Sequence, residues 1–144
     1  RDPEMSRGLG DVYKRQGKDV VAGNCKYYLN DLSFKNFLYP GFAYGVGYLL
    51  ENAVYLELRR LGYIVYTGSF RDKEVDFVAM KDDRVIYLQA TYMLETAQTM
   101  EREYAPLLTI GDNYEKYVVS MDEVQFPSNE GVRHIQAWNL KEIL

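Results

Sequence analysis

The chain has 144 residues, 47% of them apolar or aromatic and 26% charged, with a formal net charge of −4. That is one domain's length with enough apolar side chains for a core, which excludes a disordered tail and the strongly basic footprint of a generic nucleic-acid binder. One cysteine (Cys25) and one histidine (His134) exclude a disulfide framework, a cysteine-based zinc site and a multi-histidine metal centre.

Residues 1–16 have no apolar period, and Gly8-Leu9-Gly10 follows no strand pattern. Residues 6–16 resemble an in-frame translation of a transposon-based sequencing adapter, with DVYKRQ as the transposon end. The segment is expected to be non-native and takes no part in the fold. Residues 17–41 are expected to lead in from an upstream region, and residues 42–144 to form the domain. Within 17–41, residues 18–22 and 25–29 flank Gly23-Asn24, a two-residue connection that predicts a β-hairpin. Asp31 and Ser33 are placed to cap a short helix over 33–38, which Tyr39-Pro40-Gly41 ends.

Residues 44–61 form the clearest helix. Leu49, Leu50, Ala53, Val54, Leu58 and Leu61 recur at three- and four-residue steps. Arg59 and Arg60 suit its carboxyl end, and Gly62 stops it. Residues 63–67 and 74–80 read as strands around a turn at 68–72. Asp82-Asp83 turns into a third strand, 84–92. Residues 96–109 are helical in pattern, with Pro106 expected to kink or shorten the helix. Residues 117–121 and 132–137 are late strands, and 140–144 a terminal helical turn. The order predicts an α/β or α+β domain: a mixed central sheet flanked by helices and preceded by a short β-hairpin. No run approaches the roughly 20 apolar residues of a spanning helix, and the amino terminus lacks a signal peptide's apolar stretch. A cytoplasmic protein without membrane association is expected.

Several polar residues stand where the apolar pattern would not put them. Glu51 interrupts the apolar half of the long helix. Asp76 lies mid-strand, where aspartate is a poor strand former; alternation puts it with Val78 and Met80, opposite Val75, Phe77 and Ala79. In the next strand Gln89 and Thr91 share a face with Val85 and Tyr87. On pattern alone, Asp76 is equally an edge carboxylate paired with Lys73 or Lys81. Glu51 is equally a half-solvated partner of an arginine, and Gln89 with Thr91 a polar strip. Glu101-Arg102-Glu103 reads as a solvated helix face, with Arg102 the candidate to reach Gln89. His134 reads as a satisfied structural histidine and Cys25 as a small buried hydrophobe. Trp138 and the many tyrosines read as core. Residues 41–47 are glycine-rich but lead to no Gly-Lys-[Ser/Thr], so this chain is not expected to bind ATP by itself.

A helix carboxylate, a strand aspartate and a polar-x-polar pair one strand on resemble the PD-(D/E)xK nuclease core. The resemblance implies that carboxylates and a backbone carbonyl hold Mg²⁺ or Mn²⁺, which polarises a phosphate and generates hydroxide, while a lysine orients the water. It makes Glu51, Asp76 and Gln89 the metal positions if a metal binds. Here the lysine position falls on Thr91 and the preceding acid on Gln89. Hydrolysis is therefore expected to be much reduced or absent, with Arg102 as a candidate accessory cation.

Blocks in one order, KYYLNDLSFKN (26–36), GYLLENAVYLELRRL (47–61), KEVDFV (73–78), IYLQATYML (86–94), EREYAPLL (101–108) and DNYEKYVVSMD (112–122), are together similar to the C-terminal, restriction-endonuclease-like domain of unknown function of prokaryotic AAA-type P-loop ATPases. The resemblance implies an ATPase domain upstream in cis, which would carry the ATP, and a winged-helix segment between. It favours a catalytically degenerate accessory domain that binds DNA or a partner. The alternatives are a residual Mg²⁺- or Mn²⁺-dependent endonuclease and a protein-interaction module without a nucleic-acid role.

Overall fold

The computed structural model describes residues 26–33, 45–70 and 73–144. In chain order these hold helix α1 (Val46–Arg60), strands β1 (Ile64–Phe70), β2 (Lys73–Lys81) and β3 (Arg84–Ala90), helix α2 (Ala97–Leu108), strands β4 (Glu115–Ser120) and β5 (Val132–Gln136), and a 3-10 helix (Ala137–Glu142). The expected hairpin falls largely outside the described residues, and its last four, 26–29, are not in a strand. The helix expected at 33–38 also lies outside them, apart from Ser33, whose N–H donates to Asp31 Oδ1 at 2.8 Å.

The sheet is mixed, in the order β1-β2-β3-β4-β5. The first three strands form an antiparallel meander, whereas β3–β4 and β4–β5 are parallel. A parallel pair needs a crossover, and α2 supplies the one between β3 and β4. Leu50, Val54 and Leu58 of α1 pack on Phe77, Ala79, Ile86, Leu88, Tyr117 and Val119 on one face of the sheet. Tyr104 and Leu107 of α2 pack on Val78, Val85, Tyr87, Val118 and Val132 on the other. The result is three layers, helix on sheet on helix, as the element order predicts. Strands β3 and β4 are buried on both faces.

Some local expectations change. β1 runs on through Gly68 to Phe70, residues expected in the turn. β3 ends at Ala90, which leaves Thr91 just outside it. Thr96 caps α2 by accepting the Thr99 N–H at 3.0 Å. Pro106 stands in the last turn of α2, where it removes one donor, and the helix still reaches Leu108. The final turn is the 3-10 helix at 137–142 rather than 140–144; Leu140 faces the core and Trp138, expected in the core, is half-exposed.

The largest correction concerns β2. Val75 and Val78 share one face, and Phe77 and Ala79 the other. Strict alternation fails because the β1–β2 register shifts. Tyr66 pairs with Val78 but Gly68 with Val75, so Asp76 and Phe77 together oppose Thr67. Two residues against one is a β-bulge, which re-aims side chains locally. Asp76 therefore turns with Phe77 toward α1, not with Val78 and Met80 toward α2.

Candidate functional site

The bulge brings Asp76 to Glu51. Both carboxylates meet one ammonium: Lys26 Nζ lies 2.9 Å from Asp76 Oδ1 and 3.1 Å from Glu51 Oε1. Neither acid has the partner its local sequence suggests, since Lys26 stands 50 residues before Asp76 and 25 before Glu51. The Tyr28 hydroxyl also donates to Glu51 Oε1, at 2.6 Å. Its ring stacks on Tyr55 at 4.3 Å between centroids.

Asn52 explains why residues 26–29 lie here at all. It is fully buried in α1, and its amide accepts the Leu29 N–H at 2.8 Å and donates to the Leu29 carbonyl at 2.9 Å. One side chain thus does the work of a strand neighbour. The Tyr48 hydroxyl adds a bond to the Tyr27 carbonyl.

Burial pushes the Asp76 carboxyl above the usual carboxylate range, opposed by the Lys26 charge and by the Ala90 N–H. Burial pulls the Lys26 ammonium down, but the Asp76 and Glu51 charges outweigh it, so its pKa rises and it stays protonated. Burial, reinforced by Glu51, raises the Tyr28 hydroxyl far above its ordinary value, keeping it a donor.

Asp76 also marks where the β2–β3 ladder opens. The pairs run from Lys81↔Arg84 to Phe77↔Leu88 and stop, while β3 continues along β4 through Ala90↔Val119. Side chains replace the next rung. Asp76 Oδ2 accepts the Ala90 N–H at 2.9 Å, and Gln89 Oε1 accepts the Asp76 N–H at 3.2 Å. Gln89 itself reaches toward α2, where its Nε2 donates to Glu103 Oε2 at 3.3 Å. Glu103 Oε1 accepts two bonds from Arg102, at 2.9 and 2.7 Å.

The expected site residues are thus split by the sheet. Glu51 and Asp76 come together on the α1 side. Gln89 meets Asp76 only through the backbone N–H. Arg102 is joined to Gln89 by way of Glu103, a buried acid that the charged run at 101–103 disguises as solvated. Thr91 is buried beyond β3, where its N–H donates to the Val119 carbonyl. Lys73, Glu74, Gln89, Arg102 and Glu103 line an open cleft of about 390 Å³ on the α2 side.

The donor set does not fit the divalent cation that the nuclease resemblance implies. Mg²⁺ requires oxygens at about 2.0–2.1 Å in octahedral array. The point that the two carboxylates share holds the Lys26 ammonium, and the Gln89 carbonyl oxygen is occupied by the Asp76 N–H. Among the described residues, no three His, Cys, Asp or Glu side chains are grouped to hold a metal ion.

His134 belongs to a different cluster. Its Nδ1 accepts the Phe126 N–H at 3.1 Å, so Nε2 carries the proton and donates to Ser120 Oγ at 2.8 Å. Ser120 donates in turn to Asp122 Oδ2 at 2.6 Å. The direction of donation is opposite to that of a nucleophilic serine, whose histidine must accept its proton. Burial lowers the His134 pKa against the pull of Asp122, which keeps the ring neutral.

No protein-family model and no solved structure matches the chain. It is similar to an uncharacterized protein of Haemophilus influenzae, 33% identical over 108 residues. The match covers 75% of this chain and 26% of that protein, so the chain spans about a quarter of its relative. Among the described residues, no helix is long and apolar enough to cross a membrane.

Proposed function

We propose that the chain is a nuclease-like accessory domain of a cytoplasmic AAA-type ATPase, with the ATPase upstream in the same polypeptide. Its role on this reading is to bind nucleic acid, with the hydrolytic chemistry degenerate. The observation that carries the reading is the meeting of a helix acid, Glu51, and a strand acid, Asp76, where the β2–β3 ladder opens. Gln89 of the next strand lies alongside. The meeting of the two acids supports that reading; Gln89 reaches on toward α2 and Thr91 lies beyond β3, so neither joins them. The relative's length, three quarters of it outside the match, leaves room for further domains.

The degeneracy follows from what each side chain offers. Thr91 has no charge to set against a developing anion, and loss of one such preorganised group costs about 10²–10³-fold in rate. Gln89 supplies a neutral oxygen already in use. Both acids turn an oxygen to the one Lys26 ammonium rather than to an open site. Contact with a phosphate backbone falls instead to Arg102 and Lys73 at the rim of the α2-side cleft.

Gel shifts and cleavage assays on the 144-residue chain test this. DNA should be retarded at low salt, less so as salt rises, and left uncut with Mg²⁺ or Mn²⁺. Arg102→Glu with Lys73→Glu should weaken the shift several-fold. Cleavage that vanishes in Asp76→Ala would make the protein an enzyme. Unchanged DNA mobility at low salt would leave a protein-interaction module.

A further inference from the structure

We infer that the outer edge of β1 is a self-association edge, where two copies of this chain pair antiparallel about a two-fold axis at Thr67 and join their sheets into one. The inference goes beyond the nuclease-like reading and does not rest on it.

The sheet has two edge strands, β1 and β5, and they are treated in opposite ways. The connection before β5 folds back along it. Asn129 exchanges two backbone bonds with Val132, the Phe126 N–H donates to His134 Nδ1, and Gln125 Nε2 donates to the His134 carbonyl. Arg133 adds an exposed charge. A covering loop and an edge charge are common devices against foreign strands. β1 has neither. Its seven residues, IVYTGSF, include no charged side chain and no proline. Among the described residues, the backbone of 64–69 is hydrogen-bonded to β2 alone. The bulge lies in β2, where Asp76 and Phe77 together oppose Thr67, so β1 itself stays regular. Ile64, at its start, is 53% exposed.

Any extended strand could bond to that backbone; the side chains select a second copy. Antiparallel pairing about Thr67 sets Thr67 against Thr67, Tyr66 against Gly68, Val65 against Ser69 and Ile64 against Phe70 of the second copy. Threonine pairs well with threonine across strands, a tyrosine ring covers the facing glycine, and Ile64 gains an aromatic neighbour. The register also keeps the faces in order. Tyr66 and Phe70 pack on the α2 side and Val65 on the α1 side, and each pair joins residues of the same side. Both cores therefore run on across the seam, whereas a one-residue slip would set one copy's α1 side against the other's α2 side. Charge favours the same place. Each copy has a formal net charge of −4, so two copies repel unless they meet on uncharged surface, and β1 offers an uncharged strand along its whole length.

The test is the mass of the full 144-residue chain in solution, by size exclusion with light scattering over about 1–100 μM. Wild type should be a dimer at the upper end of that range. Thr67→Lys sets two ammonium groups against each other on the axis and should weaken association about tenfold or more. Thr67→Glu should do the same with two carboxylates. An equimolar mixture of the two variants should dimerise again, because only a two-fold axis at residue 67 brings the opposite charges together. Circular dichroism checks that each variant is folded. Should Thr67→Lys not fold, Ser69→Lys, which sets a lysine against Val65 at both ends of the seam, takes its place. A wild-type monomer at 100 μM would overturn the inference, whatever covers the edge. So would a dimer that the folded Thr67 or Ser69 variants leave intact, because the copies would then meet elsewhere. A mixture of the two Thr67 variants that stays monomeric would overturn the antiparallel register.

Discussion

Two polar clusters sit at the carboxyl ends of the parallel strands, and they are built in opposite ways. The His134–Ser120–Asp122 cluster is a closed relay. Every donor has an acceptor, the histidine is neutral, and Leu94 N–H completes the carboxylate. The Glu51–Asp76 cluster concentrates two anions on a single ammonium that arrives from a segment outside the sheet. The first has the residue types of a catalytic triad and the wiring of a structural joint. The second has unremarkable residue types and an unbalanced charge. Residue identity alone does not separate structure from function here; the direction of donation and the charge balance do.

Three changes would break or sharpen this contrast. The largest effect is expected for Ser120→Ala, which strands a buried carboxylate and a buried imidazole together. It should cost about 1–3 kcal/mol in urea unfolding. A loss below a few tenths would mean that water replaces the hydroxyl and that the relay is not a joint.

Next comes Asn52→Leu, which keeps the volume and removes both bonds to Leu29. The sheet should stay folded while residues 26–33 loosen, seen as faster amide exchange at Leu29 and faster proteolysis in that segment. Unchanged exchange at Leu29 would show that Tyr28 and Tyr48 suffice, and would remove Asn52 as the anchor of Lys26.

The smallest effect is a pH dependence of opposite sign in the two clusters. The folded pKa of His134 lies below its ordinary value of 6.5, so the unfolded chain takes up its proton first. Its contribution is present above about 6.5 and is lost as pH falls toward the folded value, with a slope of at most about 1.4 kcal/mol per pH unit. Asp76 has a raised folded pKa, so it favours the fold below its ordinary 3.8 and loses that contribution as pH rises through the folded value. Melting should therefore fall between pH 7 and 5, and His134→Gln should flatten that limb. A His134→Gln slope equal to wild type would assign it to other groups.

Much of the fold is legible in local pattern. The stripe of Leu50, Val54 and Leu58 finds α1, the helical pattern over 96–109 finds α2, and Asp82-Asp83 finds the β2–β3 turn. Glu51 and Asp76 are legible as misfits, because a carboxylate in an apolar stripe or a strand centre carries a desolvation cost that needs a reason. Asn52 carries a weaker signal of the same kind, one amide among the apolar positions of a helix. Lys26 and Glu103 carry none. A lysine in an aperiodic segment and a glutamate in a charged run both read as solvent-facing.

The amino-acid sequence by itself determined the element order, the α+β class with its mixed sheet, and the two acids that are out of place, because propensity and periodicity act within a few residues. Tertiary structure alone decided which way Asp76 faces, through a one-residue bulge set by pairing with β1. It also decided which cation the acids share, through a docking that closes gaps of 25 and 50 residues. Both outcomes depend on contacts between distant segments, and no local pattern encodes the register of a neighbouring strand or the landing place of a long side chain.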